Sequence, residues 1–292
     1  MKTRSLLLLT PLSLVAALMT GCGGLNSPSA PQFTKMVFLS NRTVSPATNL
    51  FIQTLAGTTV TPVPTTTAEV YYVSVSADAT KAAFDQSGDA WVENVDGSSA
   101  LQLTTTGRID FVRISPNGKK VVFNDETLGH LSIINIDGTG TLDLTPTLPT
   151  NMTSCYSAGF SADSMQIAFV CEGDTDYGIY TVKADGTGMT TVTGTRTAWT
   201  DLPSFSPDNT KIFFIGQGSG ETYDVESISL TGSGDVAVIA NTYEAEVINS
   251  NIYYTFTPTG LEVTQVYKAG LDGSNPVSLS DGIHNDYLGL AQ

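Results

Sequence analysis

Ten residues recur along this chain. "FSPDNTKIFF" (205–214) is matched by "FSADSMQIAF" (160–169), "ISPNGKKVVF" (114–123) and "VSADATKAAF" (75–84). Each block places an apolar residue, a serine and a polar turn ahead of a second apolar run. Ser-Pro-Asp and Ser-Pro-Asn join a proline-fixed φ to a side chain that bonds its own backbone, so each block predicts strand, corner, strand. A further short strand and a glycine turn follow: "LFIQTLAG" (50–57), "AWVENVDG" (90–97), "LSIINIDG" (131–138), "IYTVKADG" (179–186), "VESISLTG" (225–232) and "VYKAGLDG" (266–273). The turn glycines Gly57, Gly97, Gly138, Gly186, Gly232 and Gly273 stand 40–48 residues apart. That is the period of a four-stranded propeller blade.

Local chemistry agrees. Val, Ile, Phe, Tyr and Thr dominate short runs that read as period-2 alternation. Asp-Gly favours the positive φ of a tight hairpin. Counting by turn glycines predicts an all-β, six-bladed β-propeller over residues 32–292. The last unit is shortened at its first corner, because "VINSNIYYTF" (247–256) lacks the Ser-Pro-Asp bend. The first unit lacks its first strand. "IHNDYLGLA" (283–291) matches "RIDFVRI" (108–114) when Asp286 is set over Asp110. The C-terminal strand is therefore expected to complete the first blade, closing the ring and leaving little exposed sheet edge. An open β-solenoid would need shorter repeats and caps.

The paired segments "FSPDNTKIFF…VESISLTGSG" and "FSADSMQIAFVCEG…IYTVKADGTG" resemble the TolB-like (WD-repeat-like) propeller repeat, over about residues 32–291. The resemblance implies the fold and a protein-binding role in the bacterial envelope. The same repeat serves peptidase propellers and lyases, so it does not by itself assign a function. TolB carries an additional N-terminal α/β domain where this chain has only a short polar stretch.

That stretch follows an export leader. Lys2 and Arg4 precede an apolar run from about Leu6 to Met19, shorter than the ~20 residues of a spanning helix and interrupted by Pro11. Its ending, "LMTGC", resembles the bacterial lipoprotein cleavage box, with Met19 where leucine is usual. The expectation is a signal peptide over 1–21 and lipidation (palmitate) of Cys22. A Gly/Ser/Pro-rich flexible tether then covers 22–31. Gly23 stands where an Asp would resemble an inner-membrane retention signal, which favours an outer-membrane anchor facing periplasm or cell surface.

Loss of the leader leaves 11 basic residues against 28 acidic ones, a net charge of −17. Such a surface repels phosphate backbones, which excludes nucleic acid as the expected partner. It also excludes a polybasic membrane patch, so membrane contact is expected through the lipid alone. A monomeric propeller is expected. Cys155 and Cys171 remain, in a compartment where thiols pair. If Phe160 pairs with Gln166 across the corner, paired positions sum to 326. Cys155 and Cys171 share that sum, and a disulfide between neighbouring strands is expected.

Catalytic sets are sparse. His130 and His284 are the only histidines and read as turn residues, so a His-rich metal cage is excluded. "GQGSG" (216–220) has glycine where a nucleophilic serine would stand, and "DGTG" lacks dinucleotide spacing. No enzyme is expected. One constellation emerges when first strands are aligned on Ile114, Phe160, Phe205, Ile248 and Leu290. Four positions earlier lie Asp110, Tyr156, Asp201, Glu244 and Asp286. On innermost strands these would ring the channel at one height. Clustered carboxylates raise one another's pKa values, and Ca²⁺ or a basic ligand group would relieve this. The plainer alternative is that these acids bond backbone N–H groups or channel water. Trp91 reads as blade-packing core, and Trp199 and Tyr287 as lining a channel mouth. The expected function is an envelope protein- or peptide-binding module. A carbohydrate-binding or structural surface protein is one alternative, and a propeller-fold polysaccharide lyase or hydrolase another.

Overall fold

The computed structural model describes residues 72–280 apart from 194–195, 197–199, 218–221, 243 and 259–262, and beyond them the strand positions 35–40, 49–54, 60–62 and 286–291. The leader, Cys22 and the tether lie outside the described residues. The strands run β1 (Lys35–Ser40), β2 (Asn49–Thr54), β3 (Val60–Pro62), β4 (Val73–Val75), β5 (Lys81–Gln86), β6 (Asp89–Asn94) and β7 (Leu101–Gln102). Next come β8 (Val112–Ile114), β9 (Lys120–Asp125), β10 (His130–Asn135), β11 (Leu142–Asp143), β12 (Ser154–Phe160), β13 (Gln166–Glu172), β14 (Tyr177–Lys183) and β15 (Thr190–Thr191). The last are β16 (Thr200–Phe205), β17 (Lys211–Gln217), β18 (Tyr223–Ser229), β19 (Val236–Ala240), β20 (Ala245–Ile248), β21 (Asn251–Phe256), β22 (Gln265–Gly270), β23 (Val277–Ser278) and β24 (Asp286–Ala291).

These strands form an all-β propeller. Four sheets have four strands each, β8–β11, β12–β15, β16–β19 and β20–β23. The fifth has eight, in the order β3-β2-β1-β24-β4-β5-β6-β7. By hydrogen-bonded sheets the propeller has five blades, which corrects the expected six. The cause is β24. It pairs antiparallel with β1, Ser40 opposite Asp286, and parallel with β4, Leu290 beside Ser74. Two four-stranded units are thereby fused edge to edge. The pairing with β1 joins the two ends of the propeller, and no sheet edge is left at the seam.

Each repeated block is a corner made the same way. Ser76, Ser161 and Ser206 donate Oγ–H to Asp78, Asp163 and Asp208, while Ser115 does so to Asn117. The same serine oxygens accept the backbone N–H of Lys81, Lys120, Gln166 and Lys211. The polar corner thus satisfies its own backbone, which is why Ser and Asp/Asn recur there. The later turns also repeat: Gly97 and Gly138 hold φ of 81° and 80°, the left-handed region that glycine enters without strain.

Alternation is not the rule inside the blades. In β13, Ile167 through Cys171 are all buried. Ile167, Phe169 and Cys171 pack into one apolar cluster, and Ala168 and Val170 into another with Phe205, Ile212 and Phe214. Both faces of a middle blade are covered by neighbouring blades, so both faces of its strands must be apolar.

Cys155 and Cys171 form a disulfide, with Cα atoms 3.9 Å apart. They are directly opposite on β12 and β13. The Cys155 N–H donates away from β13, to Gly129 O, so the pair is of the closer, non-hydrogen-bonded kind. The expected corner register was off by one: Phe160 pairs with Ile167, not Gln166. A bulge between Tyr156 and Ala158 absorbs the difference, and the sum of 326 holds beyond it, at Tyr156–Val170 and Cys155–Cys171.

Candidate functional site

The innermost strands are β24, β4, β8, β12, β16 and β20, in that order around the axis, with β12 meeting the preceding blade at β9 and β10. Serines near their ends knit the ring. Ser74 Oγ accepts the N–H of Ile114, Ser157 Oγ that of Leu202, and Ser204 Oγ that of Val247. These blade-to-blade bonds are the role that the aligned acids could have taken, and serines hold most of it. Asp201 Oδ1 joins them locally, accepting the N–H of Leu202 at 2.7 Å.

Three aligned positions meet. Asp110, Tyr156 and Asp201 line one cavity of about 80 Å³ together with Tyr72, Phe111 and Asn124. Desolvation raises the Asp201 carboxyl above its ordinary range, and Asp110 adds to the rise. A hydrogen bond with Ser157, the Leu202 N–H and the Arg113 charge oppose it. The Tyr72 phenol is pushed up to about 12, first by burial and then by Asp201, Asp110, Asp85 and Glu244. Four carboxylates therefore act on one ring. Burial, followed by Asp201, raises Tyr156 further still, and its hydroxyl donates to Thr200 O at 3.2 Å. Glu126 is raised by a hydrogen bond to Asp110 and by that residue's charge, so the cavity's acidic character extends to its rim.

Asn124 is 5% exposed and its Oδ1 has no hydrogen-bond partner. A buried acceptor left unmet costs about 1–3 kcal/mol, and a donor brought into the cavity would recover it. The wall thus presents carboxylate and amide oxygens, one of which is unmet.

Below it lies an ion pair that the sequence did not announce. Arg113 on β8 and Glu246 on β20 approach to 3.4 Å, their side chains 2% and 1% exposed. Those strands are not neighbours in the ring, so the pair crosses the axis and plugs it. Ser74, Gly159 and Ser204 occupy the positions aligned with Arg113, and their small side chains leave it room. Desolvation lowers the Arg113 pKa, while Glu246 and Asp201 raise it. The guanidinium also lies 5.8 Å from the Phe111 ring centroid.

The expected carboxylate ring is drawn in part. Asp110 and Asp201 share the cavity, and Glu244 reaches it electrostatically. Asp286 is known only as the first position of β24. Among the described residues no three of His, Cys, Asp and Glu converge to hold a metal ion. His130 is not a turn residue but opens β10, with Nδ1 2.8 Å from Asp143 Oδ2, on strands away from the axis. Trp91 is half-buried on β6. His284 and Trp199 lie outside the described residues, as does the Tyr287 side chain. Tyr72, Asn124, Arg113 and Glu246 were missed. A signal existed for three of them: Asn124, Arg113 and Glu246 are each a polar residue inside a buried apolar strand.

No known family profile matches the chain. A TolB homologue of Chlorobium luteolum is 32% identical over 134 residues, 43% of this chain and 28% of that protein. The chain thus aligns with under a third of its relative's length. A TolB structure from Acinetobacter baumannii superposes with a TM-score of 0.70 at 13% identity, covering 87% of this chain and 65% of that one. Another, from Agrobacterium tumefaciens, gives 0.64 at 17%, covering 88% and 98%. An oligogalacturonate lyase in complex with manganese gives 0.57 at 13%, covering 85% and 74%. At such identities the structural likenesses establish the fold, a TolB-like propeller.

Proposed function

We propose that this TolB-like propeller is a lipid-anchored binding module of the bacterial cell envelope, which holds a basic segment of another protein at the axial cavity. The observation that carries the reading is the composition of that cavity's wall. Asp110, Asp201 and the orphaned Asn124 Oδ1 all offer acceptor oxygens. A lysine or arginine side chain of a partner brings donors and positive charge together. Tyr72 and Tyr156 supply aromatic faces that a cation favours. The Chlorobium relative is named a TolB homologue, which agrees with a binding role in the envelope. The fold shared with a lyase does not by itself assign catalysis to this chain. Cys22 is the proposed anchor, by the leader's resemblance to a lipoprotein signal.

The test is a crosslinking pull-down from envelope extracts, comparing wild type with Asp110→Asn/Asp201→Asn. Capture lost in the variant, with melting temperature retained, supports the cavity as the site; equal capture refutes it. The oxygen-rich wall also suits Ca²⁺, the hard cation considered from sequence. Ca²⁺ raising the melting temperature of wild type, and not of the double variant, would assign a cation to Asp110 and Asp201.

A further inference from the structure

The corners of the propeller are not equal. Six residues, 206–211, separate the paired Phe205 and Ile212, and six likewise separate Ile114 from Val121 and Phe160 from Ile167. In the last hairpin Ile248 pairs directly with Asn251, with only Asn249 and Ser250 between. Four residues are missing from a face where successive corners otherwise meet. Ala77 N donates to Pro116 O at 2.9 Å, and Asn117 N to Ser164 Oγ at 3.1 Å. Beside the short corner lies a notch of about 350 Å³, bounded by Pro207, Asp208, Lys211, Phe213, Ser250 and Leu271. That is within the range of ligand-holding pockets.

Its chemistry differs from that of the axial cavity. Phe213 is 4% exposed and forms an apolar floor with Pro207 and Leu271. Asp208 is already engaged: its Oδ1 accepts Ser206 Oγ, Thr210 Oγ1 and Thr210 N, which hold its carboxyl below the usual range. Lys211 is the exception among its sisters. Lys81 and Lys120 donate Nζ–H to Asn94 and Asn135 on the neighbouring strand, at 2.6 and 3.2 Å. Opposite Lys211 stands Ser229, and among the described residues the Lys211 ammonium has neither hydrogen bond nor ion pair. One uncommitted cation thus stands over an apolar floor, on a chain with only 13 basic residues.

We propose that this notch receives a short acidic-apolar peptide segment of a partner protein. Its carboxylate meets Lys211, and the adjoining apolar side chain covers Phe213 and Leu271 in place of the missing corner. The segment's belonging to a protein partner rests on the binding-module reading above; the notch's preference for an apolar carboxylate does not.

The test uses the full-length protein in detergent and two fluorescein-labelled peptides, Gly-Leu-Asp-Leu-Gly and its Gly-Leu-Lys-Leu-Gly counterpart. Anisotropy should show binding of the acidic peptide, weakened about five- to tenfold by Lys211→Glu and by added salt. A photo-leucine version should crosslink within 206–213 or 250–271. A second variant replaces Asn249-Ser250 with the six residues of the 206–211 corner; it should melt no lower than wild type and lose the peptide. Equal binding of the Lys peptide, crosslinks elsewhere, or binding unaffected in both variants would overturn the proposal. If peptide binding behaves as stated while envelope pull-downs recover no partner, the notch stands and the module reading fails. If a partner is captured but the acidic peptide does not bind, the module reading stands and the notch fails.

Discussion

Removing one half of the axial ion pair is the sharpest perturbation available. In Glu246→Gln the Arg113 guanidinium keeps its charge in a site where its side chain is 2% exposed. Breaking such a pair costs about 3–5 kcal/mol, because the surviving charge stays desolvated. For a domain of this size 1 kcal/mol moves the melting temperature by about 2–4 °C, so the fall should be about 6–20 °C. Arg113→Met alone leaves a buried carboxylate, which can take up a proton, and should cost less as pH falls. The paired change, Arg113→Met with Glu246→Leu, removes both desolvation penalties and fills the space with apolar atoms. It should be neutral or stabilising, within about 1–4 kcal/mol. Circular dichroism melts of wild type, both singles and the double complete the cycle. If Glu246→Gln melts within 2 °C of wild type, or the double loses the sum of the singles, the charges are not held together at the axis.

Asp201, the disulfide and Cys22 each carry a further expected outcome. Asp201 has a raised folded-state pKa, so its contribution to stability is fully present below its ordinary value of 3.8 and lost as pH rises through the folded value. Asp201→Asn should therefore melt higher than wild type at pH 8, with the gap closing towards pH 3; a constant gap would contradict this. The disulfide closes a loop of 16-residue separation. Cys155→Ser/Cys171→Ser should lose about 3 kcal/mol in the chain-entropy account, and reductant should lower the melting temperature of wild type but not of the variant. Cys22→Ser should move the protein from the membrane fraction to the soluble one; continued sedimentation with membranes would end the lipoprotein reading.

The repeats made the corners legible because a Ser-Asp corner satisfies its own backbone wherever it occurs. The same alignment put Asp110, Tyr156 and Asp201 at one level, and they do share a wall. It reached the correct disulfide through an incorrect corner pairing, since a bulge at Ser157 has no signature in the residue pattern. Fusion of two units by β24 was equally invisible, because whether a closing strand bonds one neighbour or two depends on hydrogen-bond geometry. Arg113 and Glu246 failed to stand out for another reason. Each reads as an exception within its own apolar strand, and only the ring brings β8 opposite β20. Lys211 shows the same limit at the surface: its block matches those of Lys81 and Lys120, and its difference lies in the Ser229 that faces it.

The seam between β24 and β1 also sets a timetable. The strand that joins the ends, at 286–291, follows every other described strand in the chain and so is made after them. Until it arrives, β1 has a bare edge and the circle cannot shut, however well the middle blades have formed. Ring closure therefore comes after the blades that it joins, in order of synthesis as in order of sequence.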